Sequence, residues 1–480
     1  MKPFLLNLLI MLSSFHLMSA QDKSSSEGIV ALIQAYYNED KYDELYNLLS
    51  EDAQRQMPEA AVTDFFQHAL KSQLGAIQSY RLIEDKAPVY LYHVRFEKLT
   101  LSLNIALDEK NKVIGWEWLP VKEETNRGHS KMIHSNNPLR TKEELMVDTI
   151  ARAYLQDERN CGISIGIIKD GRTQTYHYGE KDRTTQALPD DQTIYEIGSI
   201  TKTFTGILLA HTVNTKKIRL DDDIRKYLPG EYPNLQFHHQ PIQVGHLSNH
   251  TSRLPRVPED LDRQAGYDAD NPYKHYTREM MFHYLNTIHI DTLPGVIPEY
   301  SNYGTALLGI ILESVHSTSL DRLLEQVITA PLGMPHTKFI LSEEEKKREA
   351  TGYGEDGEEA HYWDFNGMEA AGGLKSTLPD MLRYLEANMK EINTDIALSH
   401  QQTSFSSADP PGGLNWVRST WNQGSSLIWH NGGTYGFSSF IGFDKQARIG
   451  IVVLSNSGNS VDDVSVSILK RLAQTSAQQD

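Results

Sequence analysis

A single cysteine stands among 480 residues, so no disulfide can close within the chain and packing must hold the fold. That residue, Cys161, opens the alternating run Cys161-Gly-Ile-Ser-Ile-Gly-Ile-Ile168 and reads better as a small buried apolar side chain than as a nucleophile. Basic residues are the minority, 46 Lys and Arg against 63 Asp and Glu, for a net charge of −17. An acidic surface repels phosphate backbones, which argues against a nucleic-acid partner and leaves a small-molecule or peptide substrate open. Long apolar runs are also scarce. Phe4 to Leu12 is apolar but is interrupted by Asn7 and is too short for a secure membrane span. Lys2 lies ahead of it, and Ser19 and Ala20 precede Gln21-Asp-Lys23, so residues 1–20 read as a secretory signal peptide. The expectation is an exported chain, periplasmic or secreted, with no stable membrane span after cleavage. No cysteine near the cut offers a site for lipid attachment.

The length suits more than one domain. Residues 27–120 read as a small α+β domain. Ile29, Leu32, Ile33, Tyr36 and Tyr37 recur at helical spacing, as do Ala61, Phe65, Phe66 and Leu70. Strand-like stretches follow at Ser79–Ile83, Val89–Phe96, Leu99–Leu107 and Val113–Trp118. Two helices against a curved antiparallel sheet would make a cone-like unit. Residues 121–140 are polar and irregular and read as a linker. A second domain spans 141–475. Thr141 with Glu144 has the capping-box spacing at the start of a helix to Gln156. Gly162–Ile168 and Thr173–Tyr178 form a hairpin signal, a helical and loop-rich middle follows, and apolar strands return at Phe437–Phe443 and Ile449–Leu454. An amphipathic helix from about Val461 to Ala473 closes the chain. The fold class expected is α/β of the α+β kind: an antiparallel sheet flanked by helices, with a second helical lobe beside it.

The chemistry gathers around Ile197-Gly-Ser-Ile-Thr-Lys202. Ser199 opens a helix-like run and Lys202 follows three residues on, so both side chains leave one helical face. A serine hydroxyl needs a neighbouring base to become a nucleophile, and a desolvated lysine can serve. The helix N-terminus favours an oxyanion near the Ser199 amide. Alone, such a pair is weak evidence, since Ser467-Ile-Leu-Lys470 repeats it in the last helix. Tyr300-Ser-Asn302 lies between a Pro/Gly-rich turn and the helical run Gly304–Gly309, with decoys at Tyr36-Tyr-Asn38 and Tyr284-Leu-Asn286. His430-Asn-Gly-Gly433 follows the strand-like Leu427-Ile-Trp429, with a decoy at His177-Tyr-Gly179. His246 and His250 have the spacing of a zinc helix, but Leu247 stands where a metalloprotease needs glutamate; no metal or cofactor is expected.

From about 141 to 475 the chain resembles the serine β-lactamases and penicillin-binding peptidases, specifically the class C branch with its related esterases and D-amino-acid peptidases. Lys217-Ile-Arg-Leu-Asp-Asp222, Tyr227-Leu-Pro229, Val244-Gly-His-Leu-Ser-Asn-His-Thr-Ser252, Ala371–Thr377 and Gly413–Trp416 extend the likeness beyond the three catalytic motifs. The resemblance implies Ser199 as nucleophile, Tyr300 and Lys202 as proton handlers, and Asn302 and His430 as substrate contacts. It also implies Gly432 and Gly433 on the wall of the cleft, with the amides of Ser199 and Gly433 forming an oxyanion hole. Three positions depart from the pattern. His430 replaces the lysine of true β-lactamases, Asn431 replaces the usual threonine, and Arg253 stands where glycine is common. A neutral imidazole holds a substrate carboxylate less well than a fixed cation, which favours peptidase and esterase members over a dedicated β-lactamase. A D-amino-acid peptidase leads; a carboxylesterase, a weak β-lactamase and a non-hydrolytic penicillin binder are the alternatives. The N-terminal domain is similar to small nuclear-transport-factor-like modules.

Overall fold

The computed structural model describes residues 23–120, 132–403, 412–421 and 424–476. The signal-like segment and residues 121–131 of the expected linker lie outside the described residues. The chain divides into two units, residues 1–128 and 129–480.

In the first unit, four antiparallel strands run in chain order: Ile77–Lys86, Val89–Phe96, Thr100–Leu107 and Val113–Pro120. Alternation decides their faces. Tyr90, Tyr92, Val94 and Phe96 are buried, while the residues between them are not. They close over the helix Lys23–Asn38, whose Val30, Ile33 and Tyr37 share one core with Phe66 and Trp118. Where two helices were expected, the helical part is more broken. Short helices at Tyr42–Asn47, Glu51–Gln56 and Glu59–Asp64 lead into a π-helical stretch, Phe65–Lys71. Pro58 precedes the third of these, where its missing N–H costs nothing, and Ser50 caps the second through the Ala53 amide. Tyr36-Tyr-Asn38 is structural: the Asn38 amide brackets the Ile77 backbone by accepting from its N–H at 2.8 Å and donating to its carbonyl at 2.9 Å.

The second unit is built on a six-stranded antiparallel sheet. Its order is Val417–Trp421, Ser425–Gly433, Ser438–Asp444, Ile449–Ser455, Gly162–Lys169, Arg172–Gly179. Strands 438–444 and 449–455 are buried at every position, because helices cover both faces. On one face lie Lys142–Leu155 and Asp462–Ser476, packed on Ile163, Ile165, Ile451 and Val453. Thr141 and Glu144 form the capping box that starts the first of these. On the other face lies Leu378–Lys390. It sits so close that a Cβ at Gly166 would meet Leu382 at 2.8 Å and one at Gly450 would meet Met389 at 2.7 Å. Beyond it, the helices Thr201–Asn214 and Asn302–His316 form the heart of a helical lobe that shares the same core. Residues 132–140 of the expected linker are built into this unit: Ile133 is buried in its core and Asn137 donates to the Tyr178 hydroxyl at 2.5 Å. Cys161 is buried, with Sγ 3.2 Å from the Glu180 carbonyl. Among the described residues no helix is long and apolar enough to cross a membrane.

Truncating Ile451, fully buried in the middle of the sheet, tests this packing. Ile451→Ala should lower the unfolding free energy by about 2–5 kcal/mol in chemical denaturation. A loss under about 1 kcal/mol would mean that the two helical layers are not close-packed on the sheet.

Candidate active site

The short strand Ile194–Glu196 pairs antiparallel with Lys375–Thr377, with Glu196 opposite Lys375. That pairing anchors the turn that follows. Ile197 donates to the Leu374 carbonyl at 3.1 Å, and Leu374 N–H donates to Thr201 Oγ1 at 3.1 Å. Gly198 then takes φ +48, in the left-handed region where a side chain is strained, and begins one 3₁₀ turn that carries Ser199 into the helix Thr201–Asn214. The backbone of the neighbouring sheet edge presses on this turn. A Cβ on Gly198 would lie 2.7 Å from the Gly433 nitrogen. A Cβ on Gly432 would lie 2.1 Å from the Ile197 carbonyl oxygen and 2.9 Å from the Ser199 nitrogen. Glycine at 432 is therefore a steric requirement, and the contact sets Gly433 beside Ser199. Ser439, paired with Gly432 across the sheet, donates to the Ile197 carbonyl at 2.9 Å and locks the approach.

Lys202 is fully buried one turn into the helix. Its Nζ lies 3.0 Å from Ser199 Oγ and donates to the Ala371 carbonyl at 2.5 Å. Burial, reinforced by the Arg256 cation, drives its pKa well below the ordinary lysine value, which favours the neutral amine, whose lone pair can face the serine hydroxyl. Tyr300 comes from the loop before the helix Asn302–His316, which Ser301 caps by accepting from Gly304 N–H. Its phenol is hydrogen-bonded to Ser199, and its ring lies 4.8 Å from Lys202 Nζ. Burial pushes the phenol up to about 12, so it stays protonated. Asn302 donates from Nδ2 to the Tyr273 hydroxyl at 3.4 Å, while its Oδ1 is buried with no partner. His430 faces Tyr300, ring centroids 6.4 Å apart. Burial and Lys202 lower its pKa to about 4. Its Nδ1 sits 2.5 Å from the Asn431 carbonyl oxygen; because a carbonyl only accepts, the proton is on Nδ1 and Nε2 is bare. Ser199, Lys202, Tyr300, Asn302, His430, Gly432 and Gly433 thus converge on one cleft.

The comparisons with known proteins agree with this geometry. The β-lactamase family model matches residues 147–475, more than two thirds of the chain. The chain belongs to the β-lactamase family. A second family, described only as a protein of unknown function (DUF3887), matches residues 30–116. Among curated relatives, a β-lactamase of Providencia stuartii is 31% identical over 51% of this chain and 60% of its own length. Protein flp of Staphylococcus aureus (strain N315) is 28% identical over 65% of this chain and 62% of its own. The chain thus spans about three fifths of the length of these relatives. Among solved structures, a class C β-lactamase matches at TM-score 0.60 and 24% identity, covering 69% of this chain and 97% of that one. A β-lactamase/D-alanine carboxypeptidase from Pseudomonas syringae matches at TM-score 0.60 and 23% identity, over 70% and 99%.

Three residues beside these play parts that the sequence motifs do not record. Ala371 offers Lys202 a backbone carbonyl, which no side-chain motif records. His250, weighed as a metal ligand and quoted within the family stretch Val244–Ser252, lies against Tyr300 with ring centroids 4.5 Å apart and accepts from Ser301 N–H at 3.2 Å, while burial holds it neutral. His246 instead accepts from Gln243 N–H at 3.2 Å, so the two do not share a ligand. Among the described residues no cluster of His, Cys, Asp or Glu is arranged to hold a metal. Arg256 is the third, with its guanidinium 5.0 Å from the Tyr300 ring. The departures also find physical reasons. Arg253 has φ +64, a conformation that favours glycine, and its side chain pairs with Glu299 at 2.6 Å and Asp291 at 3.4 Å, tying down the residue before Tyr300. Asn431 donates to Asp462 at 2.7 Å, which braces the strand against the last helix. The decoys are structural: His177 lies between Ser164 and Asp191, and Tyr284 packs in the helical lobe.

Two measurements check the site. Gly432→Ala should cut fluorophosphonate labelling of Ser199 by about tenfold or more, because the added methyl cannot fit without parting the strand from the turn; wild-type labelling would refute the close approach. His430 bears on stability. The unfolded ring binds its proton near pH 6.5 and the folded one only near 4. Its contribution is therefore fully present above about pH 6.5 and lost as pH falls toward 4, at up to about 1.4 kcal/mol per pH unit. His430→Gln should flatten that acid limb in urea unfolding; equal slopes in variant and wild type would mean that the ring titrates normally.

Proposed function

We propose that this chain is an exported serine hydrolase that opens an amide or ester bond through an acyl-enzyme on Ser199, with D-amino-acid peptides as its substrate class. One observation carries the reading: a fully buried, neutral Lys202 amine stands 3.0 Å from the serine hydroxyl. As Oγ attacks the carbonyl carbon, Lys202 Nζ accepts its proton. The oxyanion forms against the amides of Ser199 and the exposed Gly433, at the N-terminal end of the nucleophile helix. Tyr300, protonated and bonded to Ser199, relays the proton to the leaving amine or alcohol as the carbonyl re-forms. Water then enters, gives its proton back through the same pair and releases the acid. Asn302 Oδ1, buried and unpartnered, takes the N–H of the amide on the acyl side.

The peptide reading draws on the likeness to the β-lactamase/D-alanine carboxypeptidase from Pseudomonas syringae. Export draws on the charged, apolar and small-residue order of the first 20 residues. A carboxylesterase is the second reading, favoured by the neutral His430, which leaves that wall of the cleft without a fixed cation.

Fluorescent penicillin and a fluorophosphonate separate these readings. Both should label the wild type and neither should label Ser199→Ala. Labelling by the fluorophosphonate alone would indicate an esterase, and labelling by neither a non-hydrolytic binder. Tyr300→Phe should lower kcat/KM on a D-Ala-D-Ala peptide by about a hundredfold or more; a rate close to wild type would remove Tyr300 from proton transfer.

A further inference from the structure

The proton path leaves one permanent charge at the cleft unused. Lys202, His250 and His430 are all held neutral by burial, so none offers a fixed positive charge to a substrate. Arg256 does, because a guanidinium does not lose its proton in a protein. It is exposed, and lies over the Tyr300 ring at 5.0 Å. Its backbone is tied to the head of the Asn302–His316 helix: the Arg256 carbonyl accepts from Asn302 N–H at 2.9 Å and from Tyr303 N–H at 3.3 Å. Several acidic residues of the lobe are engaged elsewhere. Glu299 and Asp291 are paired with Arg253, Asp260 accepts from the Tyr276 hydroxyl at 2.7 Å, and Asp364 accepts from Asn271 at 3.0 Å. Among the described residues, the Arg256 guanidinium has no ion-pair partner within 4 Å. With its guanidinium over the Tyr300 ring and its carbonyl holding the Asn302 amide, it stands on the Tyr300 and Asn302 side of the site.

We propose that Arg256 is a specificity-determining residue that binds a carboxylate carried on the acyl portion of the substrate, over Tyr300 and beside Asn302. The inference rests on the acyl-enzyme reading above. A planar guanidinium already stacked on an aromatic face is oriented for paired hydrogen bonds to a carboxylate. With no ion-pair partner among the described residues to displace, it binds that anion at little cost.

Two 4-nitrophenyl esters test the assignment: that of (4-carboxyphenyl)acetic acid, and its 4-carbamoyl counterpart of the same shape without the charge. The wild type should favour the carboxylate by about tenfold or more in kcat/KM, chiefly through KM. Arg256→Gln should bring the ratio of kcat/KM for the two esters to about one, whatever it does to their common rate, and Arg256→Lys should keep part of the preference. No preference in the wild type, or one that survives Arg256→Gln, overturns the proposal. If neither ester is turned over, protection of Ser199 from the fluorophosphonate by (4-carboxyphenyl)acetamide against (4-carbamoylphenyl)acetamide makes the same comparison. A wild-type chain that the fluorophosphonate does not label at Ser199 brings down the acyl-enzyme reading itself, a failure distinct from that of Arg256.

Discussion

The site depends on an amine kept out of water. Lysine in solvent is charged and cannot take a proton; Lys202, sealed inside the nucleophile helix and bonded to the Ala371 carbonyl, is neutral and can. Sealing it takes the whole lobe. The helix Thr201–Asn214 is buried from Thr201 to Ala210, unlike an ordinary amphipathic surface helix. Asn302–His316 is buried from Tyr303 to Leu312. The apolar lobe that makes the fold stable is thus also what keeps Lys202 out of water, as the proposed role of a base requires.

A second constraint is steric. Two backbone segments, the turn at Gly198-Ser199 and the strand end at Gly432-Gly433, meet at distances that no side chain allows. Stripped of Cβ atoms, they can set two amides beside one another without moving in the reaction. The six-stranded sheet fixes one partner and the Ile194–Glu196/Lys375–Thr377 ladder fixes the other.

Charge at the cleft is distributed by depth. Buried groups are neutral and suited to moving protons, whereas the one fixed cation identified at the rim, Arg256, remains in contact with water. His430 illustrates the division. With its proton on Nδ1 and engaged by the Asn431 carbonyl, it lines the wall as an acceptor and cannot do what a lysine there would do.

Local pattern was enough to settle the strands, whose alternation and apolar runs mark Val89–Phe96 and Gly162–Ile168, and the capping box at Thr141, because such signals act within a few residues. The motifs around Ser199, Tyr300 and His430 were legible for the same reason, each being a short run with its own turn. Other features belonged to tertiary structure alone. Nothing near Ala371 in the chain says that its carbonyl will meet Lys202, and nothing near His250 or Arg256 says that both will flank Tyr300. The broken helical segment Tyr42–Lys71 was hidden as well, because packing against the sheet, rather than helical period, sets where its turns change. Protonation states were decided last of all: the sequence names a lysine, a tyrosine and two histidines, but only burial determines which of them carry charge.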